Sequence, residues 1–171
     1  MQGILVQLNA SAGGLPKTAL LLSHISRAGV AGDWQRNRKY HGGPDRAVCL
    51  YSEELFAALR ADGVDLPNGA VGENFTTRGI DLQALSRGDR LRVGADCVIE
   101  ITDVRVPCRT LKQWSAELPK LMEGRSGWVA KVVTEGTVKP SDPIVVFERA
   151  ASTETRLSRG TRQAPAETGA S

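Results

Sequence analysis

Cys108 lies in Val106-Pro107-Cys108-Arg109, just beyond the strand-like run Cys97-Val98-Ile99-Glu100-Ile101-Thr102. Arg105 and Arg109 flank it in sequence. A thiol beside a cation is biased toward thiolate, the form that attacks electrophiles and binds soft metals. A second stretch, Tyr40-His41-Gly42-Gly43-Pro44-Asp45-Arg46-Ala47-Val48, puts a histidine in a glycine turn with Arg38, Lys39 and Arg46 close by. Glycines there permit positive φ and close approach of a ligand, and exposed turn amides can form an anion nest. A third, Gly72-Glu73-Asn74-Phe75-Thr76, offers a carboxyl and an amide that can position or protonate a substrate.

Each feature also has a plainer reading. Free cysteines are often buried structural residues. Cys97 fits that description on the Ile99 and Ile101 face of a strand, as does Cys49 between Val48 and Leu50. Spacing alone leaves Cys108 open between a reactive and a structural thiol. The His41 turn also reads as a surface hairpin. Glu73, taken by itself, reads first as a solvated carboxylate in a turn. His24, the other histidine, reads as a core or surface residue. HxxxH and HExxH spacings are absent, as are a P-loop and a dinucleotide fingerprint.

The elements that position these residues are mostly short strands. Gly3 to Leu8 is an apolar run that ends in turn chemistry at Asn9 to Pro16. Thr18 to Ile25 is read as a strand, and Ala47 to Tyr51 as another. Ser52 caps a helix with Glu53 and Glu54 in its first turn, Leu55, Phe56 and Leu59 at helical spacing, and Gly63 at its end. Leu91 and Val93 alternate with Arg90 and Arg92 in a half-buried strand. Thr110 to Met122 has helical character that Pro119 should break or kink. Trp128 to Val133 and Ile144 to Phe147 read as strands. The latter is apolar on both faces and so expected to be central. Short strands with glycine turns and one or two helices suggest a β-barrel.

The 171 residues suit one domain with a sizeable core, and 41% apolar with 24% charged residues is ordinary for a globular protein. A net charge of +3 and 5% aromatics give no sign of a nucleic-acid face. No apolar run approaches the ~18 residues of a membrane helix. The N-terminus lacks the pattern of a secretory signal. Three cysteines without a CxxC pair argue against a disulfide framework or a structural zinc site, so a cytoplasmic location is expected. Residues 1–150 are expected to form the domain. From Ala151 the composition turns to small and polar residues, and 151–171 is expected to be a disordered tail.

The series Gly29-Val30-Ala31-Gly32-Asp33, His41 to Val48, Gly72-Glu73-Asn74-Phe75, Leu85 to Gly94, Val106-Pro107-Cys108 and Gly127 to Val132 resembles the MOSC domain, named for the C-terminal domain of molybdenum cofactor sulfurase. The likeness runs from about Gly3 to Glu148 and is strongest to the stand-alone, YiiM-like bacterial branch. It implies a MOSC-type β-barrel, mainly β with a few helices, that binds the molybdenum cofactor. Cys108 would be the metal ligand or a sulfur carrier, with His41, Gly42 and Gly43 beside it. Arg38, Lys39, Glu73, Asn74 and Arg109 would complete the cofactor site, basic residues holding its phosphate. The implied activity is reduction of N-hydroxylated bases or amines with electrons from a partner protein, His41 delivering or orienting a proton. The alternative is a carrier of cofactor or of a Cys108 persulfide serving an apo-molybdoenzyme. Two departures stand out. Ser141-Asp142 replaces the usual Gly-Asp, and the segment between Cys108 and Gly127 is short for the branch.

Overall fold

A computed structural model describes residues 1–34 and 43–151. Seven strands close into a barrel: β1 (Gln2–Ala10), β5 (Val48–Ser52), β6 (Phe75–Arg78), β7 (Arg90–Val93), β8 (Cys97–Val104), β9 (Trp128–Thr134) and β11 (Pro143–Glu148). Around the barrel the order is β11-β7-β8-β9-β5-β6-β1, and β1 pairs back onto β11 to remove the open edges. Neighbours are antiparallel except β5 and β6, which run parallel. Such a pair needs a crossover, and α1 (Glu53–Ala61) supplies it.

Inward-facing side chains make the core, among them Leu5, Leu8, Leu50, Phe75, Leu91, Ile99, Ile101 and Ile144, all essentially inaccessible. The alternation read from Cys97, Ile99 and Ile101 is the inner face of β8. In α1 the Ser52 hydroxyl accepts the Leu55 amide at 3.2 Å. Gly63, at φ 89°, ends the helix with its own amide on Arg60 and the Val64 amide on Leu59.

Three expectations need correction. Thr18 to Ile25 is not one strand. β2 (Thr18–Leu20) extends the barrel sheet beside β1, whereas β3 (Ser23–Ser26) belongs to a small sheet with β4 (Gly29–Val30) and β10 (Gly136–Val138). The break falls at Leu21 and Leu22, both exposed, so their hydrophobicity marks no buried strand. Pro119 does not break a long helix. It sits in the first turn of α2 (Leu118–Leu121), where its missing N–H costs nothing, and residues 109–113 form a separate 3-10 turn. The strand at 144–147 is central in that β7 and β1 flank it, but Phe147 is half exposed, so its outer face is open. Among the described residues no helix is long and apolar enough to cross a membrane. The expected tail, 151–171, lies outside the described residues from 152 onward.

Candidate functional site

The loop before β6 runs through the interior. Asn74 is fully buried, and its backbone bonds Cys49 and Asn9 at 2.8 and 2.7 Å. Its side-chain oxygen accepts the Cys49 amide at 3.0 Å. Its side-chain nitrogen donates to the Asn9 carbonyl at 3.2 Å and to Asp33 at 2.9 Å. Asp33 is held in turn by Lys17 at 2.6 Å. Asn74 thus stitches β5 to β1 where β6 has not yet begun, and both its amide hydrogens are committed within the fold.

Glu73 is also fully buried, which corrects the reading of a solvated turn carboxylate. One oxygen, Oε1, accepts the Gly69 amide at 2.5 Å and the Thr76 hydroxyl at 2.8 Å. The other, Oε2, has no partner. Burial pushes the Glu73 carboxyl above its ordinary range, against the opposing pull of the Gly69 and Thr76 bonds and the Arg105 charge.

Cys108 follows the end of β8 and opens the 3-10 turn Arg109–Gln113. It is half-buried, and its Sγ lies against the Thr110 hydroxyl. Leu111, fully buried, anchors the turn through its amide to the Cys108 carbonyl at 3.2 Å. Upstream, the Arg105 amide donates to Gly127 at 3.0 Å and its carbonyl accepts the Ser126 hydroxyl. Arg109 is exposed beside the thiol in sequence.

The Arg105 side chain reaches the loop before β6. Its Nη2 donates to the Val71 carbonyl, and its charge acts on Cys49, Tyr51 and Glu73. Arg105 Nη1, Tyr51 Oη and Glu73 Oε2 are all buried without a hydrogen-bond partner. Unpaired buried polar atoms are costly, and Glu73 and Tyr51 both lie within the influence of the Arg105 charge.

The other thiols differ from Cys108. Burial pushes Cys97 up to about 12, and its side chain is inaccessible. Cys49 is half-buried. Burial raises its thiol, while Arg105 and Lys17 pull it down, Glu73 pushes it up and Arg46 pulls it down. Gly43, at φ 99°, leads into a 3-10 turn at Pro44–Arg46, which the Thr102 hydroxyl ties to β8 through the Asp45 carbonyl. Arg38, Lys39, His41 and Gly42 lie outside the described residues.

The sequence profile of the MOSC domain matches residues 37–145. The chain belongs to the MOSC domain family. Among MOSC relatives, YiiM of Escherichia coli strain K12 is 30% identical over 133 residues, covering 73% of this chain and 59% of that protein. A protein named Reductase from Gibberella moniliformis is 32% identical over 132 residues, covering 72% of this chain but only 23% of its own length. This chain therefore spans about three fifths of YiiM and under a quarter of the fungal protein. The crystal structure of YiiM from Geobacillus stearothermophilus superposes with a TM-score of 0.72 at 26% identity, over 88% of this chain and 77% of that one.

Among the described residues no three His, Cys, Asp or Glu side chains gather as a metal set. Sequence reading passed over Trp114 and also Tyr51, which looked like an ordinary strand residue. It took Arg105 only as a flank of the thiol, because sequence adjacency says nothing about where a long side chain turns.

Proposed function

We propose that this MOSC protein binds the molybdenum cofactor with Cys108 as a metal ligand and reduces N-hydroxylated bases or amines. The carrying observation is the half-buried Cys108 at a strand end, three residues beyond Arg105, whose Nη1 is buried without a partner, as are Glu73 Oε2 and Tyr51 Oη. A thiol sulfur is a donor suited to a soft metal. Arg38, Lys39, Arg109 and the Gly42-Gly43 turn are the proposed holders of the cofactor phosphate.

The cofactor, when bound, supplies a two-electron metal centre suited to removing an oxygen atom. The overall change consumes two electrons and two protons, converting N–OH to N–H and water, and the electrons come from a partner protein. The chain's own residues handle the protons. Because Glu73 Oε1 already accepts two hydrogen bonds, Oε2 is the oxygen that carries the proton burial favours. His41 is the second proposed proton donor. Asn74 keeps β5 and the loop in register. A cytoplasmic location suits reduced thiols and a protein electron donor.

The test is metal analysis of the full chain made in a host that synthesises the cofactor, followed by turnover of an N-hydroxylated base with a chemical reductant. Wild type should hold molybdenum and turn over. Cys108→Ser should lose both with an unchanged melting temperature. Wild-type protein without molybdenum would sink the proposal. Molybdenum retention with no turnover on any N-hydroxylated compound would favour a carrier of cofactor or of a Cys108 persulfide.

A further inference from the structure

Residues 105–114 form a strap that carries Cys108 and is bonded to the Gly69–Asn74 loop. Both ends of the strap are tied to that loop by side chains. Arg105 Nη2 donates to the Val71 carbonyl, and Trp114 Nε1 donates to the Ala70 carbonyl at 3.0 Å. The two acceptors are consecutive carbonyls of the loop that carries Glu73. Cys108 lies between the ties, and Cys108 and Trp114 both pack against the core cluster. The Cys108 side chain makes no capping bond to the turn it opens. Cys108 itself is held by the Leu111 amide and the Thr110 hydroxyl, and the strap backbone is held at Arg105 by Gly127 and Ser126.

We propose that Arg105 and Trp114 are positioning residues, a two-point brace that sets Cys108 against the Glu73 loop. Arg105 spends one nitrogen on Val71, and its remaining buried nitrogen, Nη1, stays with the Glu73 and Tyr51 cluster. Trp114 is neutral and contributes one N–H. Gly72 sits where the loop passes Leu15 and the Arg105 guanidinium. A Cβ added there would come within 2.7 Å of Leu15 and 4.0 Å of Arg105 Nη2. The loop and strap therefore pack as one unit, so displacing the strap moves the thiol relative to Glu73.

This inference rests on Cys108 being the working thiol, as proposed above, but its test does not need the metal. Metal-free full-length protein is labelled with a small alkylating reagent between pH 6 and 9, and the rate at Cys108 is followed by mass spectrometry. Trp114→Phe keeps an aromatic ring but removes the N–H together with the five-membered ring of the indole, which packs against the core. It should raise the plateau rate at Cys108 by about fivefold or more, one net hydrogen bond in a local opening equilibrium accounting for about fivefold and the lost packing adding to it. The pH midpoint of labelling should stay where it is in wild type, since no charge has changed. Arg105→Met should raise the rate at least as much, and Arg105→Lys should lie closer to wild type because an ammonium can still reach one carbonyl.

Arg60→Ala, which removes an exposed pair with Asp65, serves as the control and should leave the rate unchanged. Wild-type labelling rates in both Trp114→Phe and Arg105→Met, whether or not their melting temperatures fall, would overturn the brace. So would a shifted pH midpoint in Trp114→Phe. Lack of molybdenum in wild type would defeat the functional proposal and leave this result standing.

Discussion

At the scale of single residues, the three thiols occupy three different environments. Cys97 is inaccessible and pushed up to about 12, Cys49 is raised by burial with Arg105 and Lys17 opposing, and Cys108 is half-buried at a strand end. Brief alkylation of folded, metal-free protein at neutral pH should therefore modify Cys108 first, and peptide mapping would read the order. First labelling at Cys49 or Cys97 would contradict the site assignment. Glu73 gives a second residue-level prediction. Its carboxyl is raised in the folded protein, so it holds its proton there over a range in which the unfolded chain has lost it. Its contribution to stability therefore falls as pH rises from the ordinary carboxylate range through the folded value. Glu73→Gln keeps the shape and an Oε1 acceptor but removes that titration. Measured by urea denaturation at pH 5 and pH 8, the stability difference should move in favour of Glu73→Gln at the higher pH. A gap that stays constant would mean Glu73 does not titrate differently on folding.

At the scale of elements, α1 was readable because its signals are local. Ser52, the Glu53-Glu54 pair, the Leu55, Phe56 and Leu59 spacing and Gly63 each act within a turn of one another. Removing the cap in Ser52→Ala should cost about 1 kcal/mol, read as a lowered urea midpoint with an unchanged slope. Elements decided by distant partners were less legible. The run from Thr18 to Ile25 divides between two sheets because β2 pairs with β1 while β3 pairs with β10, more than a hundred residues downstream. Periodicity within the run carries no trace of that choice. The strap at 105–114 belongs to the same class. Cys108 could be picked out by its proline and strand end, but the ties from Arg105 and Trp114 to Val71 and Ala70 join segments far apart in sequence.

At the scale of the whole molecule, barrel closure depends on the seam between β1 and β11. Leu5 donates to the Asp142 carbonyl at 2.9 Å, and Ser141 donates to the Leu5 carbonyl at 2.7 Å, just where β11 begins. Ser141 has φ 74°, the one positive value among the described residues that are not glycine. A side chain there is strained, so the departure from the family's Gly-Asp carries a cost. Ser141→Gly should relieve it and stabilise the fold by roughly 0.5–1 kcal/mol after the added freedom of the unfolded chain is counted. A higher urea midpoint would bear this out, and a lower one would mean the Ser141 side chain contributes more than its backbone costs.

The sequence by itself determined the barrel class, the clear helix, the strand leading to Cys108 and the family, because alternation, caps and motif order are properties of neighbouring residues. It also singled out Cys108, Glu73 and Asn74, though it read Glu73 as solvated. Only the tertiary structure decided that Glu73 is buried with a free oxygen, that Asn74 is spent on joining β5 to β1, and that the Arg105 side chain reaches the Val71 carbonyl. Burial, pKa direction and the reach of a long side chain depend on what packs from other parts of the chain. The loop at 69–74 and the strap at 105–114 meet because β5 pairs with β9 on one side and β6 on the other.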